Sequence, residues 1–400
     1  MSQLAILAFS GGLDTSFCVP YLREQGFEVI TVFVDSGGTD AGERDYIAAR
    51  SRELGAREHV VRDAGEALWR EVVVPLVRGG ALWGDAYPLL CSDRYVIARA
   101  GLELCRKYDT PYFAHGCTGM GNDQVRFDAT VLALGDFKIL APIRDLQSQH
   151  REVRAFEQRY LEERGFAVRA KTTKYSINAN LLGVTTSGAE IDQFQAPGPE
   201  TYVMTRPPQE WPREPRRVRL EFVRGECVAV DGEAMPGPRL VAHLNQLCGA
   251  FGVGRNIYTG DTTIGLKGRI VFECPGLAAL LVAHRALEQT ILTAHENGFK
   301  PMVAQKWVEL VYKGLFYEPL KYDLEAFLER SQEFVSGAVT VEAAGGSCLP
   351  VAIESPHMLR HAKAVYAQSA DWGAAQAEGF IQLFAQSTTL SARVNPREKL

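Results

Sequence analysis

The feature that most constrains the fold is a glycine-containing turn near the start of the chain, Ala8-Phe9-Ser10-Gly11-Gly12-Leu13-Asp14-Thr15-Ser16. It follows an apolar run at residues 4–9 and opens a helical segment at residues 14–25. Two adjacent glycines let the backbone fold tightly, so that its N–H groups and the hydroxyls of Ser10, Thr15 and Ser16 converge on one point. The helix N-terminus behind them adds about half a positive charge. A strand, turn and helix of this kind predict a phosphate-binding site.

Apolar runs and helical segments alternate over the first part of the chain, which is typical of a parallel sheet flanked by helices. The predicted strands are residues 4–9, 28–35, 58–62, 111–115 and 138–143, and the predicted helices are residues 14–25, 42–54, 92–107 and 122–134. Pro20 falls inside the first helix, where we expect a kink, because a proline in a helix interior costs about 3 kcal/mol.

The chain has 400 residues, whereas a single hydrophobic core rarely grows beyond about 250–300 residues. We therefore expect an α/β protein with a parallel-sheet nucleotide-binding domain at residues 1–168, a second, α+β domain at 169–367, and a C-terminal helix and tail at 368–400. The later elements predicted are strands at residues 218–222 and 227–230 and helices at residues 238–249, 276–297, 300–314 and 372–385.

A second glycine-rich segment follows another predicted strand, with the sequence Ala114-His115-Gly116-Cys117-Thr118-Gly119-Met120-Gly121-Asn122-Asp123-Gln124-Val125-Arg126-Phe127. Asn122 and Arg126 are four residues apart, so they share one helix face, and an arginine can hold a carboxylate with two parallel hydrogen bonds. Loops at the carboxyl ends of parallel strands face one crevice. The pattern thus predicts one site built from both loops. The simpler alternative is two capped turns, with Asn122 as an N-cap and Arg126 as a surface charge.

The composition of the chain limits the kinds of ligand and partner that it is expected to bind. The net charge is −5, the pI is about 6.0 and no block of five Lys or Arg occurs, so small molecules are favoured over nucleic acid. No apolar run approaches the roughly 18 residues of a membrane span, and a basic n-region is absent from the start, which predicts a cytoplasmic protein. The eight cysteines form no Cys-x-x-Cys pair, which indicates reduced thiols and neither a disulfide framework nor a zinc ribbon.

Ser-Gly-Gly-x-Asp-x-Ser resembles the PP-loop, whose enzymes cleave ATP between the α and β phosphates, and no Walker sequence is present. Together the two motifs resemble the argininosuccinate synthase family. The similarity continues in Ser92-Asp93-Arg94-Tyr95, Tyr175-Ser176-Ile177-Asn178-Ala179-Asn180-Leu181, Gly252-Val253-Gly254-Arg255, Ile264-Gly265-Leu266-Lys267-Gly268-Arg269 and Val308-Glu309-Leu310-Val311-Tyr312. The resemblance implies a PP-loop domain of the adenine nucleotide α-hydrolase type, a synthetase and multimerisation domain, and a homotetramer joined through the C-terminal helix.

The resemblance also implies a two-step ligation with ATP, Mg²⁺, citrulline and aspartate. The ureido oxygen attacks the α-phosphate, diphosphate leaves, and the aspartate amine then displaces AMP. ATP would be held by Ala8, Phe9, Ser10, Gly11, Gly12, Leu13, Asp14, Thr15, Ser16, Val34 and Gly116. Aspartate would be held by Thr118, Asn122 and Asp123, and citrulline by Tyr95, Asn122, Arg126, Ser176 and Thr185. The residues expected to carry the chemistry are Ser10, Asp14, Asp123 and Arg126.

Departures from the family pattern cluster on the acceptor side. Met120 stands where a lysine is common, Gly260 where a glutamate would meet the citrulline amine, Phe272 for a tyrosine and Ala100 for a serine. Two hypotheses remain open. Either Asp261, one residue along, meets the amine of free citrulline, or the acceptor is an N-acylated citrulline or another ureido acid whose acyl group uses the vacated space.

Two other functions are compatible with a PP-loop. The first is a tRNA sulfurtransferase, which would need a reactive pair of cysteines such as Cys18 and Cys117 and a basic surface. The second is a nucleotide-binding protein without catalysis. Diphosphate release that depends on aspartate would separate the ligase from both.

Overall fold

The computed structural model describes residues 3–148, 152–169, 174–366 and 368–396. The chain forms two compact units, residues 1–357 and residues 358–400. Within the described residues, the strands of the first unit form three sheets. The boundaries expected at residues 168 and 367 stay a prediction.

The first sheet is parallel throughout and confirms the predicted α/β class. Its strands stand in the order β3-β2-β1-β4-β5. They are β1 (Gln3–Ala8), β2 (Phe27–Asp35), β3 (Glu58–Asp63), β4 (Tyr112–Ala114) and β5 (Lys138–Leu140). Each overlaps its predicted strand. From β1 the chain adds β2 and β3 on one side of the sheet, and it then adds β4 and β5 on the other side. The strand order therefore reverses between β1 and β4.

Helices cover both faces of this sheet. Those of the first unit are α1 (Leu13–Glu24), α2 (Ala41–Glu53), α3 (Gly65–Leu68), α4 (Val74–Gly79), α5 (Asp93–Lys107), α6 (Asp123–Leu134), α7 (Pro142–Gln147), α8 (Val153–Glu163), α9 (Ala189–Asp192), α10 (Gly237–Gly249), α11 (Pro275–Ile291), α12 (Ala294–Tyr312) and α13 (Pro319–Ser331). A π-helical turn, Trp69–Val73, joins α3 to α4. This helical stretch was not predicted. Pro20 is buried within α1, which continues through it.

Two antiparallel sheets make up much of the rest of this unit. Their strands are β6 (Ser176–Asn180), β7 (Gly183–Ser187), β8 (Arg216–Val223), β9 (Glu226–Val230), β10 (Glu233–Ala234), β11 (Arg255–Asp261), β12 (Lys267–Glu273), β13 (Gly337–Ala344) and β14 (Ser347–Glu354). One sheet has the order β10-β9-β8-β13-β14 and the other has the order β11-β12-β7-β6. Strands β11 and β12 form a hairpin, with its tip at residues 262–266.

The helix boundary predicted between residues 297 and 300 is wrong. Helix α11 ends at Ile291, and Thr293 and Glu296 form a capping box that starts α12 at Ala294. Such a box satisfies two free backbone N–H groups reciprocally and therefore starts a helix. Pro301 consequently lies inside α12 and not in its first turn.

Alternate residues of β1 face two separate apolar cores, as the two-residue period of a buried parallel strand requires. Leu7 packs into the cluster on the α1 side, with Phe17 and Tyr160. Ile6 and Ala8 pack into the cluster on the α5 side. The sheet is thus fixed on both faces, which holds its carboxyl edge in place.

The second unit contains α14 (Ala374–Phe384) and α15 (Gln386–Val394). The first of these confirms the helix predicted near the end of the chain. Its apolar side chains are exposed, with Phe380 at 64% and Phe384 at 79%. In the described ranges, every helix is too short or too polar to cross a membrane.

Candidate functional site

The first glycine turn has the geometry that the sequence predicts. Gly11 has a φ of +74°, a left-handed conformation that favours glycine. Gly12 is the N-cap of α1. Around them the Ser10 N–H donates to the Thr15 hydroxyl at 3.3 Å, and the Ser16 hydroxyl donates to the Gly11 carbonyl at 3.3 Å. The hydroxyl groups of Ser10, Thr15 and Ser16 therefore lie together at the start of α1, where a helix favours a bound anion.

The second glycine loop touches the first. Strands β1 and β4 are hydrogen-bonded neighbours, so the loops that follow them leave the sheet side by side. A Cβ placed on Gly116 would lie 3.2 Å from the Thr15 backbone nitrogen and 3.1 Å from its Cγ2. The backbone of one loop therefore rests against the first turn of the other loop's helix. Because the strand order reverses between these two strands, the contact occurs where α/β proteins bind ligands.

Asn122 does not cap its helix with its side chain, although it occupies the N-cap position of α6. Its side-chain nitrogen donates to the Tyr312 hydroxyl at 3.3 Å, and its side-chain oxygen accepts from the Thr263 N–H at 2.9 Å. The capped-turn alternative for this residue is therefore wrong. Asn122 joins α6 to α12 and to the tip of the β11–β12 hairpin.

Two arginines and two aspartates form a largely buried network beside Asn122. Arg126 donates to the Asp123 carboxylate at 2.8 Å, and its other two nitrogens donate to the Tyr312 carbonyl at 2.9 and 3.1 Å. Arg94, on α5, donates to Asp123 at 3.0 Å and to Asp93 at 2.6 Å. The alternative of Arg126 as a surface charge is wrong, since its side chain is only 3% exposed.

The network favours the charged forms of Arg94, Arg126 and Asp123. Burial opposes the ionisation of Asp123, but Arg94 and Arg126 outweigh it and leave the pKa of Asp123 below its ordinary value. Burial likewise opposes the charge of both arginines, yet the neighbouring anionic groups raise the pKa of each. At Asp93 the effect of burial is larger than that of the neighbouring Arg94, so the pKa of that carboxyl is raised. Asp123 is therefore favoured as a carboxylate between the two guanidinium groups.

The hairpin tip is tied down by a convergence of donors on one carbonyl. The Asp261 carbonyl accepts from the Tyr258 hydroxyl at 2.9 Å, the Tyr312 hydroxyl at 3.2 Å and the Trp83 indole N–H at 3.3 Å. Trp83 also donates to the Tyr258 hydroxyl at 2.7 Å and stacks on Tyr312 with ring centroids 4.2 Å apart. These contacts hold the three aromatic side chains against the tip of the hairpin.

The space expected at Gly260 is not vacant. A side chain starting at this position would meet the Tyr258 hydroxyl, since a Cβ there would lie 2.6 Å from that oxygen. The Asp261 carboxylate is 66% exposed and pairs with Lys267 across the hairpin. Phe272, 2% exposed, packs edge-on against Tyr87. Tyr258 thus fills the room that the second acceptor hypothesis assigned to an acyl group.

The remaining predicted site residues are spread more widely. Tyr95 is fully buried, stacks on Phe316 and donates its hydroxyl to the Val311 carbonyl, so it does not reach the crevice. Val34 is buried near the end of β2. Ser176 is exposed at the start of β6, and Thr185 is 6% exposed on β7, paired with Phe272.

Two of the family departures lie away from these polar groups. Met120 projects from the second loop with 65% of its surface exposed. Ala100 packs in the apolar layer between α5 and the parallel sheet.

Sequence reasoning missed Arg94, Tyr258 and Tyr312. Each lies in or beside a stretch of family similarity, and within Ser92–Tyr95 the resemblance implies a role for the tyrosine. Helix α5 turns Arg94 toward Asp123 and its neighbour Tyr95 into the core. The helical period alone could have separated the two positions, because adjacent residues project about 100° apart.

The surroundings of the two thiols near the loops, Cys18 and Cys117, disfavour the thiolate form. Burial raises the pKa of Cys18 well above its ordinary value, and it does the same for Cys117. A raised thiol pKa suppresses the thiolate that sulfur transfer requires. Among the residues that the structure describes, no group of three or more His, Cys, Asp or Glu could hold a metal ion.

Comparisons with known proteins agree along the whole chain. Residues 4–163 match the model of the arginosuccinate synthase N-terminal HUP domain, and residues 175–391 match the model of the C-terminal domain. The chain is 58% identical over 394 residues to the argininosuccinate synthase of Xanthomonas campestris pv. campestris, covering 98% of this chain and 99% of that one. It is 56% identical over 390 residues to that of Xylella fastidiosa, covering 98% and 97%. It is 39% identical over 363 residues to that of Methanocaldococcus jannaschii, covering 90% of each.

Proposed function

The chain belongs to the argininosuccinate synthase family, and from that premise we propose how its residues carry out the reaction. It is an ATP-dependent carbon–nitrogen ligase that condenses citrulline with aspartate in arginine biosynthesis. Its substrates are small molecules, and the side chains that hold them are assigned from the two glycine loops and their neighbours.

ATP is proposed to lie along the first glycine turn, with its phosphates at the start of α1. The hydroxyls of Ser10, Thr15 and Ser16 surround that helix start, and the N–H groups of the turn would supply further donors. Gly116 completes the cradle, because a side chain there would press on Thr15. The proposed contacts are the set that the family resemblance implies, from Ala8 through Ser16 with Val34 and Gly116.

The two amino acids are proposed to bind at the start of α6. Thr118, Asn122 and Asp123 would hold aspartate, and Asn122, Arg126, Ser176 and Thr185 would hold citrulline. Arg94 is added to this set, because it supports the Asp123 carboxylate from the far side. Tyr95 drops out as a direct contact. Arg126 would exchange its bonds to the Tyr312 carbonyl for the citrulline carboxylate, and Asn122 would likewise leave the hairpin.

The chemistry needs positioning and charge stabilisation, without a covalent nucleophile on the protein. In the first step the ureido oxygen forms a bond to the α-phosphorus, and the bond from that phosphorus to the bridging oxygen breaks. The electron pair leaves with diphosphate. In the second step the aspartate amine attacks the ureido carbon, AMP leaves, and the amine loses a proton. The contact between the two glycine loops supports this proposal most strongly, because it puts a phosphate cradle beside an amide and two guanidinium groups.

Mg²⁺ is proposed to arrive with ATP. Mg²⁺ prefers to be held mainly by phosphate oxygens and water, with few protein ligands. When bound it would neutralise charge on the departing diphosphate. No protein residue is assigned to it.

Free citrulline is supported over an N-acylated acceptor by the hairpin. The Tyr258 hydroxyl stands where the acyl group would need room. A contact between Asp261 and the citrulline amine would require Lys267 to release that carboxylate. The Tyr258 hydroxyl, which already accepts from Trp83, is the other group able to meet the amine.

The test is release of diphosphate from ATP by the purified protein. Citrulline, N-acetylcitrulline and a ureido acid without an α-amino group would each be supplied with and without aspartate. We expect turnover with citrulline and aspartate together and little with the acylated form. Turnover of N-acetylcitrulline with none of citrulline would overturn the acceptor assignment. Asp14→Ala should abolish release, and normal release by that variant would mean that the phosphate site is misplaced.

The protein is further proposed to be a cytoplasmic homotetramer. The exposed apolar side chains of α14, among them Phe380, Ile381 and Phe384, support assembly through this helix, because exposed apolar patches commonly mark interfaces. Sedimentation of the intact chain against a chain ending at residue 372 would test it. A tetramer from both would contradict the assignment.

A further inference from the structure

Glu157, on α8, is a carboxyl group buried without a partner. Its side chain has no exposed surface, and neither of its oxygens has a hydrogen-bond partner at normal distance. More than about nine in ten buried polar groups in proteins are hydrogen-bonded, so an unsatisfied carboxyl requires an explanation. Nothing in the proposed reaction so far uses this residue.

The packing of α8 on α1 determines what Glu157 faces. The two helices run in the same direction, because their contacts advance together along both. Phe17 packs against Tyr160 with ring centroids 4.7 Å apart, and further along Glu24 pairs with Arg164 at 2.8 Å. Going back one turn from Phe17 on α1 and from Tyr160 on α8 leads to Asp14 and Glu157.

Glu157 therefore lies beside Asp14, in the first turn of the helix that follows the glycine loop. Burial, and after it the Asp14 carboxylate, raise the pKa of Glu157 to about 9, while Arg154 on its own helix opposes them. Cys18, one turn after Asp14, faces the same pair and is itself protonated, since burial and these two carboxyls raise its pKa. Burial and the Asp14 carboxylate on α1 thus favour a neutral Glu157, and they outweigh Arg154 on its own helix.

We propose that Glu157 is a positioning residue, which in its neutral form donates a hydrogen bond to the Asp14 carboxylate and holds it at the phosphate site. Two adjacent carboxyl groups in a confined space share one proton, because both cannot ionise without strong repulsion. The inference rests on the proposed function, in which Asp14 belongs to the ATP cradle. It adds a residue, and a protonation state, that the reaction requires.

The consequence concerns ATP, which carries several negative charges. With Glu157 neutral, the turn presents a single carboxylate. Ionisation of Glu157 would add a second negative charge beside the phosphates and would break the hydrogen bond that orients Asp14. ATP binding should therefore weaken as the pH rises through the region of about 9.

Three variants test this. Glu157→Gln keeps the shape of the side chain and a hydrogen-bond donor but cannot ionise. Glu157→Leu can neither donate a hydrogen bond nor ionise. Glu163→Gln removes an exposed carboxylate from the same helix and is the matched control. KM for ATP would be measured from about pH 6 to about pH 10. We expect it to rise about tenfold on the alkaline side in the wild type and in Glu163→Gln, and to stay level in Glu157→Gln.

Near neutral pH, Glu157→Gln should remain within about threefold of wild type, and Glu157→Leu should raise KM for ATP by about tenfold. An inactive Glu157→Gln would show that the ionised carboxylate is needed, which would overturn the proposal. So would an alkaline rise in KM that is the same in Glu157→Gln and wild type. A magnesium-dependent thermal shift without nucleotide, lost only in Glu157→Gln, would identify a cation site instead and would also overturn it.

Thermal unfolding separates this inference from the proposed function. Because the pKa of Glu157 is raised on folding, its neutral form stabilises the protein fully below the ordinary value and loses this contribution as the pH rises toward about 9. The Tm of wild type should fall across that range more steeply than the Tm of Glu157→Gln. Parallel curves would overturn the inference even if the ligase assay succeeds. Divergent curves would support it even if citrulline proves not to be the acceptor.

Discussion

Asp123 is proposed both to stabilise the fold, through its ion pairs with Arg94 and Arg126, and to hold aspartate. The variant Asp123→Asn tests the first of these roles directly. The substitution keeps the size and one acceptor oxygen but removes the charge shared by Arg94 and Arg126. Arg94 would keep Asp93 as a partner, whereas Arg126 would keep only the Tyr312 carbonyl. A guanidinium 3% exposed would then lack its carboxylate.

The magnitude depends on burial. Removing one partner of a fully buried ion pair costs about 3–5 kcal/mol. The Asp123 side chain is 35% exposed, so solvent reduces this, and we expect a loss of about 2–3 kcal/mol in the free energy of unfolding. Because the pKa of Asp123 is lowered in the folded protein, the contribution is complete at neutral pH and is lost only as the pH falls through the acidic range.

The assay is urea unfolding near neutral pH, with Asp136→Asn as the control, since Asp136 is exposed just beyond α6. Arg126→Met, made alone and together with Asp123→Asn, completes a double-mutant cycle. The cycle should show a coupling of about 1–3 kcal/mol between the two residues. A loss below about 0.5 kcal/mol for Asp123→Asn, matching Asp136→Asn, would refute the claim that this network is a buried charge cluster.

Further predictions concern the other parts of the site. Arg126→Ala should raise the KM for citrulline by about tenfold or abolish turnover, and should leave the KM for ATP near wild type; an unchanged citrulline KM would remove Arg126 from the acceptor site. Gly11→Ala should cost about 1–2 kcal/mol in urea unfolding, because Gly11 has a φ of +74°, and no loss would mean that the turn is not constrained. Gly260→Glu should destabilise the chain by about 1–3 kcal/mol, because its Cβ would meet the Tyr258 hydroxyl. Combining it with Tyr258→Ala should restore part of that loss, and no recovery would contradict the contact.

The parallel sheet and both glycine loops could be predicted because their determinants are local. An apolar run with Gly11 and Gly12 after it specifies a strand, a turn and a helix within about fifteen residues. The adjacency of the loops then comes from the rule for parallel strands. The stretch at residues 65–79 was missed because its apolar side chains pack into a third apolar core, which they share with β8 and α11, and its π turn has no sequence pattern of its own.

The acceptor side could not be predicted, since it depends on contacts across long separations in sequence. Tyr258 meets Trp83 over 175 residues, and Asn122 meets Tyr312 over 190. Aligned positions indicated an empty space at Gly260, whereas the fold fills it with Tyr258. The burial of Glu157 could not be predicted either, because a glutamate on a highly charged helix is ordinarily expected to be exposed.

One crevice should bring the ureido oxygen of citrulline to the α-phosphate of ATP, and every assignment of a substrate contact depends on this. The most direct measurement is a turnover with citrulline labelled by oxygen-18 at the ureido oxygen, with mass spectrometry of the nucleotide and the diphosphate. We expect AMP to carry the label and diphosphate to lack it. Unlabelled AMP, or label in diphosphate, would contradict this arrangement of the two substrates.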